Sequence, residues 1–207
     1  MKRFRSVRVT QVVVVSVILA IGFGHTANAS TPIPAQQKKF IEIIKTGVKA
    51  YKDAKTDLKS SVALRKRDKA ACAVLSGNKA TNWVGTIKDI GANSEGKAYI
   101  QIELESGIRV QTWSNAFSDI SDNTLIPEGS KVFNAIMDGE EGSKIIFSAQ
   151  FLKDGKSCMK GSNLTEYFYA TDPKFIVKIT AAKLAKELNK KPPDRNKSGG
   201  FLIRIYI

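Results

Sequence analysis

Histidine is all but missing: the chain has 207 residues and a single histidine, His25. His25 lies in a stretch that reads as a removable leader, so the mature chain is expected to carry no imidazole. That excludes Ser-His-Asp and Cys-His catalysis and every histidine metal site. Cysteine is scarce too, with only Cys72 and Cys158, and two thiols without histidine cannot complete an ordinary structural zinc site. The chain contains no C-x-x-C, no G-x-x-x-x-G-K-[ST] phosphate loop and no G-x-S-x-G nucleophile turn. Its apolar run at residues 12–23 is shorter than the ~18–20 residues that cross a bilayer. These absences predict a non-enzymatic protein with no cofactor and no bound metal.

The first residues have the order of a secretory signal. Lys2, Arg3, Arg5 and Arg8 precede the apolar run, and Ala27-Asn28-Ala29 offers the small side chains of a cleavage site. Cleavage after Ala29 is expected, with an uncleaved N-terminal anchor as the alternative; no cysteine follows the site to accept a lipid. Removing residues 1–29 leaves 178 of the 207 residues and lowers the net charge from +14 to +10, with no transmembrane span. The expected location is periplasmic or secreted. In such an oxidising compartment an even pair of cysteines predicts a Cys72–Cys158 disulfide, with a reactive thiol pair as the competing reading. Closing so long a loop would stabilise the fold by ~4 kcal/mol.

Charge divides the mature chain into three parts. Residues 30–76 carry 11 basic and 4 acidic side chains, residues 77–180 carry 11 and 13, and residues 181–207 carry 7 and 2. The excess therefore belongs to the two ends, and the middle is slightly acidic. The first part has a helical period: Phe40, Ile43, Ile44, Val48, Tyr51, Ala54, Leu58 and Val62 share one face. Lys38, Lys45, Lys49, Lys52 and Lys59 form another stripe. Gly47 is the weak point, where a kink or a division into two helices would fall.

In the middle part the period changes to two. Residues 82–90 read as a strand with Gly85 inside it, a mark of a bulge or sharp bend. Ala98, Ile100, Ile102 and Leu104 alternate with polar neighbours, Ser106-Gly107 makes a turn, and Ile108, Val110 and Thr112 alternate again. That is a hairpin. A short helix at 130–137, a strand at 145–151, a short extra strand at 166–170 and a last strand at 174–179 follow. A short helix at 181–188 and a Pro/Gly-rich linker lead into the apolar end, residues 201–207.

Three strands, a short helix and two more strands is the order of a five-stranded OB barrel. The predicted class is α+β: an N-terminal amphipathic helix packed on an OB-like β-barrel, with a basic C-terminal extension. The motifs Asn82-Trp83-Val84-Gly85, Trp113-Ser114-Asn115-Ala116, Phe147-x-Ala149-x-Phe151, Cys158 and Thr171-Asp172-Pro173-Lys174-Phe175 also have a counterpart. Over residues 37–180 the chain resembles a group of exported bacterial proteins with an OB-like domain of the tRNA-anticodon-binding-like type. The resemblance implies fold and export. The group has no assigned activity, so no catalytic or ligand residue is carried over.

Strand alternation sets Tyr99, Gln101, Glu103, Arg109, Gln111 and Trp113 on the face away from the core. OB domains bind ligands on the face of strands two and three, and aromatic and arginine side chains stack on bases or sugars. Tyr99, Arg109 and Trp113 are therefore the candidate ligand-binding residues. The competing reading is that the N-terminal helix covers this face and makes Tyr99 and Trp113 packing residues. Trp83 is read as core. Lys45, Lys49 and Lys52 are candidate contacts to an anionic surface, against the simpler reading of a solvated helix face.

The expected function is binding, with another protein or an anionic envelope component as partner. A single-stranded nucleic-acid binder is the first alternative, disfavoured because phosphate affinity comes from Lys and Arg whereas the barrel region is net acidic and carries Glu103 and Glu105. A carboxylate-dependent hydrolase using Glu103, Asp119 or Asp138 is the second. Asp119, Asp122 and Asn123, and likewise Asp138, Glu140 and Glu141, cluster in loops without EF-hand spacing. They are read as solvated carboxylates.

Overall fold

The helical front is a pair of helices. The computed structural model describes residues 31–155 and 157–185; the leader and the extension from residue 186 onward lie outside the described residues. Helix α1 runs Ala35–Asp53 and α2 runs Asp57–Val74. The break falls at residues 54–56 and not at Gly47. Thr56 starts α2, its hydroxyl accepting from the Lys59 N–H at 3.3 Å, a cap that outweighs the continuing apolar period. Gly47 remains helical and serves a different end: Arg67 of α2 crosses it so closely that a Cβ would lie 2.3 Å from Arg67 Cγ. The new start also turns Leu58 and Val62 outward, so that they are 74% and 37% exposed. No helix among the described residues is long and apolar enough to cross a membrane.

Strand β1, Lys79–Ala92, is long because it serves two partners. It pairs with β4 (Lys144–Phe151) through its first half and with β2 (Ala98–Glu105) through its second. Its register shifts at Ala80/Trp83 and again at Ile87/Asp89. Gly85 sits between the shifts, where a Cβ would lie 2.3 Å from Ile102 Cγ2, so the bend needs glycine. β2 turns at Gly107 (φ 76°) into β3, Ile108–Gln111. Two short helices follow, α3 at Ala116–Asp119 and α4 at Lys131–Ile136. The last strands are β5 (Lys160–Gly161) and β6 (Lys174–Leu184), with helix α5 (Glu166–Thr171) between them. β6 runs parallel to β3 and antiparallel to β4. The five strands β1-β2-β3-β6-β4 thus close into a mixed barrel, with β5 an extra strand on β6. The class is α+β, with helices preceding the barrel and two short helices between its third and fourth strands.

Two local expectations need correction. Residues 166–170, read as a strand, form α5: Thr165 accepts from the Phe168 N–H at 3.3 Å, and this cap overrides the strand preference of Tyr and Phe. Residues 181–184, read as the start of a helix, extend β6, with Ala181 opposite Ser148 and Leu184 opposite Ile145. Ladder pairing wins there over the helix propensity of Ala, Lys and Leu.

Phe40 of α1 is the centre of the core. Its ring lies 5.1 Å from Trp83, 5.6 Å from Phe151 and 5.7 Å from Phe175, one contact each on β1, β4 and β6. α1 therefore closes the barrel end where β6 begins. Gly139, just after α4, lies against Ile87 and Leu184 at the opposite end of that strand. Two glutamines tie α1 to β1. Gln37 exchanges a pair of hydrogen bonds with the Val84 backbone at 2.5 and 2.8 Å, and Gln36 accepts from Trp83 Nε1 at 3.0 Å. Arg67, 3% exposed, joins α2 to α5: it donates to the Tyr169 carbonyl at 3.0 Å, stacks 4.6 Å over the Tyr169 ring and pairs with Asp68 at 2.8 Å. Burial pushes the Tyr169 hydroxyl well above its ordinary pKa, and the nearby Asp68 carboxylate adds to the effect. The Cys72 and Cys158 sulfurs are at bonding distance, fastening the last turn of α2 to the stretch before β5.

Candidate functional site

Beside β2 and β3 lies a cleft of about 630 Å³. Its floor is the outward face of the hairpin, where alternation sends Ile100, Ile102 and Val110 inward and their neighbours out. Gln101 and Gln111, opposite each other in the ladder, share a 2.6 Å hydrogen bond and form a flat polar centre. Tyr99 lies over Gly91 of β1, where a Cβ would come within 2.6 Å of the phenol oxygen. A side chain at position 91 would push the ring off that strand.

Trp113 is held from three directions. Its backbone N–H donates to Thr124 Oγ1 at 2.8 Å, its indole N–H donates to Asp122 at 2.6 Å, and Lys160 Nζ stands 5.8 Å from the ring centre. Lys160 also bonds Asp122 at 2.6 Å. Burial works against the charged Asp122, but the bonds from Lys160 and Trp113 prevail and hold its pKa below the ordinary 3.8. A lowered carboxylate pKa contributes stability above the unfolded value, and that contribution disappears as pH falls through the folded one. Trp113 emission is therefore expected to change as pH drops below 3.8, and Asp122→Asn should remove the step. A fluorescence titration of the two proteins checks this; an identical step in the variant would assign the transition to another group.

The second wall is the stretch between β5 and β6. Asn163 donates to the Asp172 carbonyl and accepts from the Lys174 N–H, both at 3.0 Å, which pins the 162–174 segment as a rim. Asp172, Lys174 and the half-exposed Phe168 face the cleft from it, and Asn115 and Ser118 close the remaining side near α3.

Tyr99 and Trp113 thus come together on one cleft, and no residue of α1 or α2 is on its walls. The helices that were the competing cover pack into the barrel end instead. Arg109 is not on the cleft wall; it is ion-paired to Asp172, which is. Lys45, Lys49 and Lys52 lie elsewhere, along α1 beside the β2–β3 turn. Lys45 pairs with Glu105 at 2.6 Å and Lys49 with Asp53 at 2.5 Å. The Asp53 hydrogen bond and charge raise the Lys49 pKa. Among the described residues Lys52 has no such partner.

The loop carboxylates read as solvated divide into two kinds. Asp138, Glu140 and Glu141 are at the surface, whereas Asp119 is buried, accepting from the Thr124 N–H at 2.5 Å, its hydroxyl at 2.7 Å and the Leu125 N–H at 3.1 Å. A loop that folds back on itself brings its own donors to Asp119. Among the described residues no three His, Cys, Asp or Glu side chains are grouped to hold a metal ion. Glu103 pairs with Lys88 at 3.4 Å, and none of Glu103, Asp119 and Asp138 lines the cleft.

Sequence reasoning missed Phe168, Asn163, Asp172 and Lys174. The one signal pointing at them was the Thr171-Asp172-Pro173-Lys174-Phe175 motif, read there for resemblance and not for position. Compared with protein-family models, curated proteins and solved structures, the chain matches none.

Proposed function

We propose that the barrel is an OB domain, that the protein is exported, and that it acts in the periplasm or outside the cell as a binding module without catalysis. Its ligand lies in the cleft beside β2 and β3, the face and loop region that OB domains use for oligonucleotides and oligosaccharides. The observation that carries the reading is the cleft's lining: Tyr99, Trp113 and Phe168 around the paired amides of Gln101 and Gln111. Flat aromatic faces with neutral donors and acceptors suit a hydroxyl-rich, uncharged chain such as a saccharide of the envelope. Asp89 and Asp172 stand in the cleft against Lys174 alone, and a phosphate-tracking groove needs the opposite balance. The lysines of α1 support contact with an anionic component less well, since carboxylates already engage Lys45 and Lys49.

Trp83 is fully buried and Trp113 partly exposed, so ligand-dependent changes in tryptophan emission report on the cleft. Titration with neutral chito- and cello-oligosaccharides is expected to quench emission with little dependence on salt. Trp113→Ala and Gln111→Ala, followed by calorimetry, should each weaken binding about tenfold, equivalent to ~1.4 kcal/mol. No heat with any saccharide would sink the proposal, as would affinity for a thymidine oligonucleotide that falls steeply with salt.

A further inference from the structure

A second hollow, of about 800 Å³, lies between α1 and α2 on the side away from the barrel. Its floor is apolar. Ile43 and Ala50 come from α1, and Leu58 and Val62 from the outward-turned first half of α2. Leu58 and Val62, 74% and 37% exposed, stand open at its mouth one helical turn apart and make a contiguous apolar patch with Ile43 and Ala50. The rim is cationic: Lys39, Lys59 and Lys66 border it against the single carboxylate of Glu42. Among the described residues none of these lysines meets a carboxylate within ion-pairing distance. Arg67, beneath the floor, is committed to the Tyr169 carbonyl and Asp68.

We infer that this groove receives an amphipathic helix of a partner protein, apolar on one face and flanked by Asp or Glu. A groove between two helices matches the ridge of a third, and the small side chains at Ala50 and Ala63 let its axis come close. The lysine rim selects the sign of the flanking charges. The same rim argues against the other occupants. A second copy would set lysine against lysine. Residues 181–207 of this chain carry 7 basic and 2 acidic side chains and would be repelled. A bilayer presents a flat surface and leaves a concave floor unfilled. This inference is independent of the ligand in the barrel cleft.

The test uses the full mature chain and two labelled synthetic peptides, each a leucine-faced helix, flanked in one by glutamates and in the other by lysines. Fluorescence anisotropy is expected to show binding of the glutamate peptide and at least tenfold weaker binding of the lysine peptide. Leu58→Ser/Val62→Ser should weaken the glutamate peptide. Lys39→Glu/Lys59→Glu/Lys66→Glu should exchange the preference for that of the lysine peptide. All five positions are at the surface, and circular dichroism confirms that the variants fold. Equal binding of both peptides or binding of neither would overturn the inference. So would binding only to phosphatidylglycerol vesicles, or a concentration-dependent dimer that Leu58→Ser/Val62→Ser abolishes.

Discussion

Removing the Cys72–Cys158 link as Cys72→Ala/Cys158→Ala is expected to lower the unfolding free energy substantially. For a sequence separation of 86, the loss from chain entropy is roughly 4.5 kcal/mol. A domain of this size is stable by about 5–15 kcal/mol, so the loss is a large share of the total. Alanine is the best helix former, so position 72 keeps its helix and the effect isolates the crosslink. The bond also fixes the end of α2, whose buried side chains are Leu64, Arg67 and Ala71, to the stretch before β5. Urea titration monitored by far-ultraviolet dichroism measures the change. Dithiothreitol should bring the parent's midpoint down to the variant's and leave the variant where it is. A variant as stable as the parent would mean that the denatured chain gains nothing from the lost constraint.

The sequence shows best what is decided locally. The β2–β3 hairpin was legible because alternation, Ser106-Gly107 and the apolar positions agree with one another, and Tyr99 and Trp113 follow from that parity. The Cys72–Cys158 pairing was legible from an even count of cysteines together with the oxidising compartment that the leader-like N-terminus led one to expect. Elements decided by distant partners were not legible. A single hydroxyl at Thr56 restarts the helix against its apolar period, and residues 181–184 join β6 because β4 offers a free edge. The second wall of the cleft depends on barrel closure. β3 and β6 run side by side, and the Arg109–Asp172 pair spans 63 residues of sequence, a proximity that no local pattern encodes. The same holds for the groove of α1 and α2. Leu58 and Val62 look like core on a helical wheel until the break before them is known.

Phe40→Ala is expected to produce the other large loss, about 3–5 kcal/mol, the usual cost of emptying a buried phenylalanine site. Phe40 is fully buried and its ring meets Trp83, Phe151 and Phe175, of which Phe151 also touches the other two. Removing the central ring leaves rigid neighbours on three different strands, and closed-barrel hydrogen bonding keeps them from collapsing into the space. Relief can come only from movement of α1, which would weaken the Gln36 and Gln37 bonds to Trp83 and Val84 in turn. Denaturant titration should therefore show a lower midpoint together with red-shifted emission from Trp83 in the native baseline, as water reaches the indole. Phe40→Leu fills more of the site and should cost markedly less. Equal losses for the two variants, with unchanged Trp83 emission, would show that α1 rests against the barrel without being anchored in it.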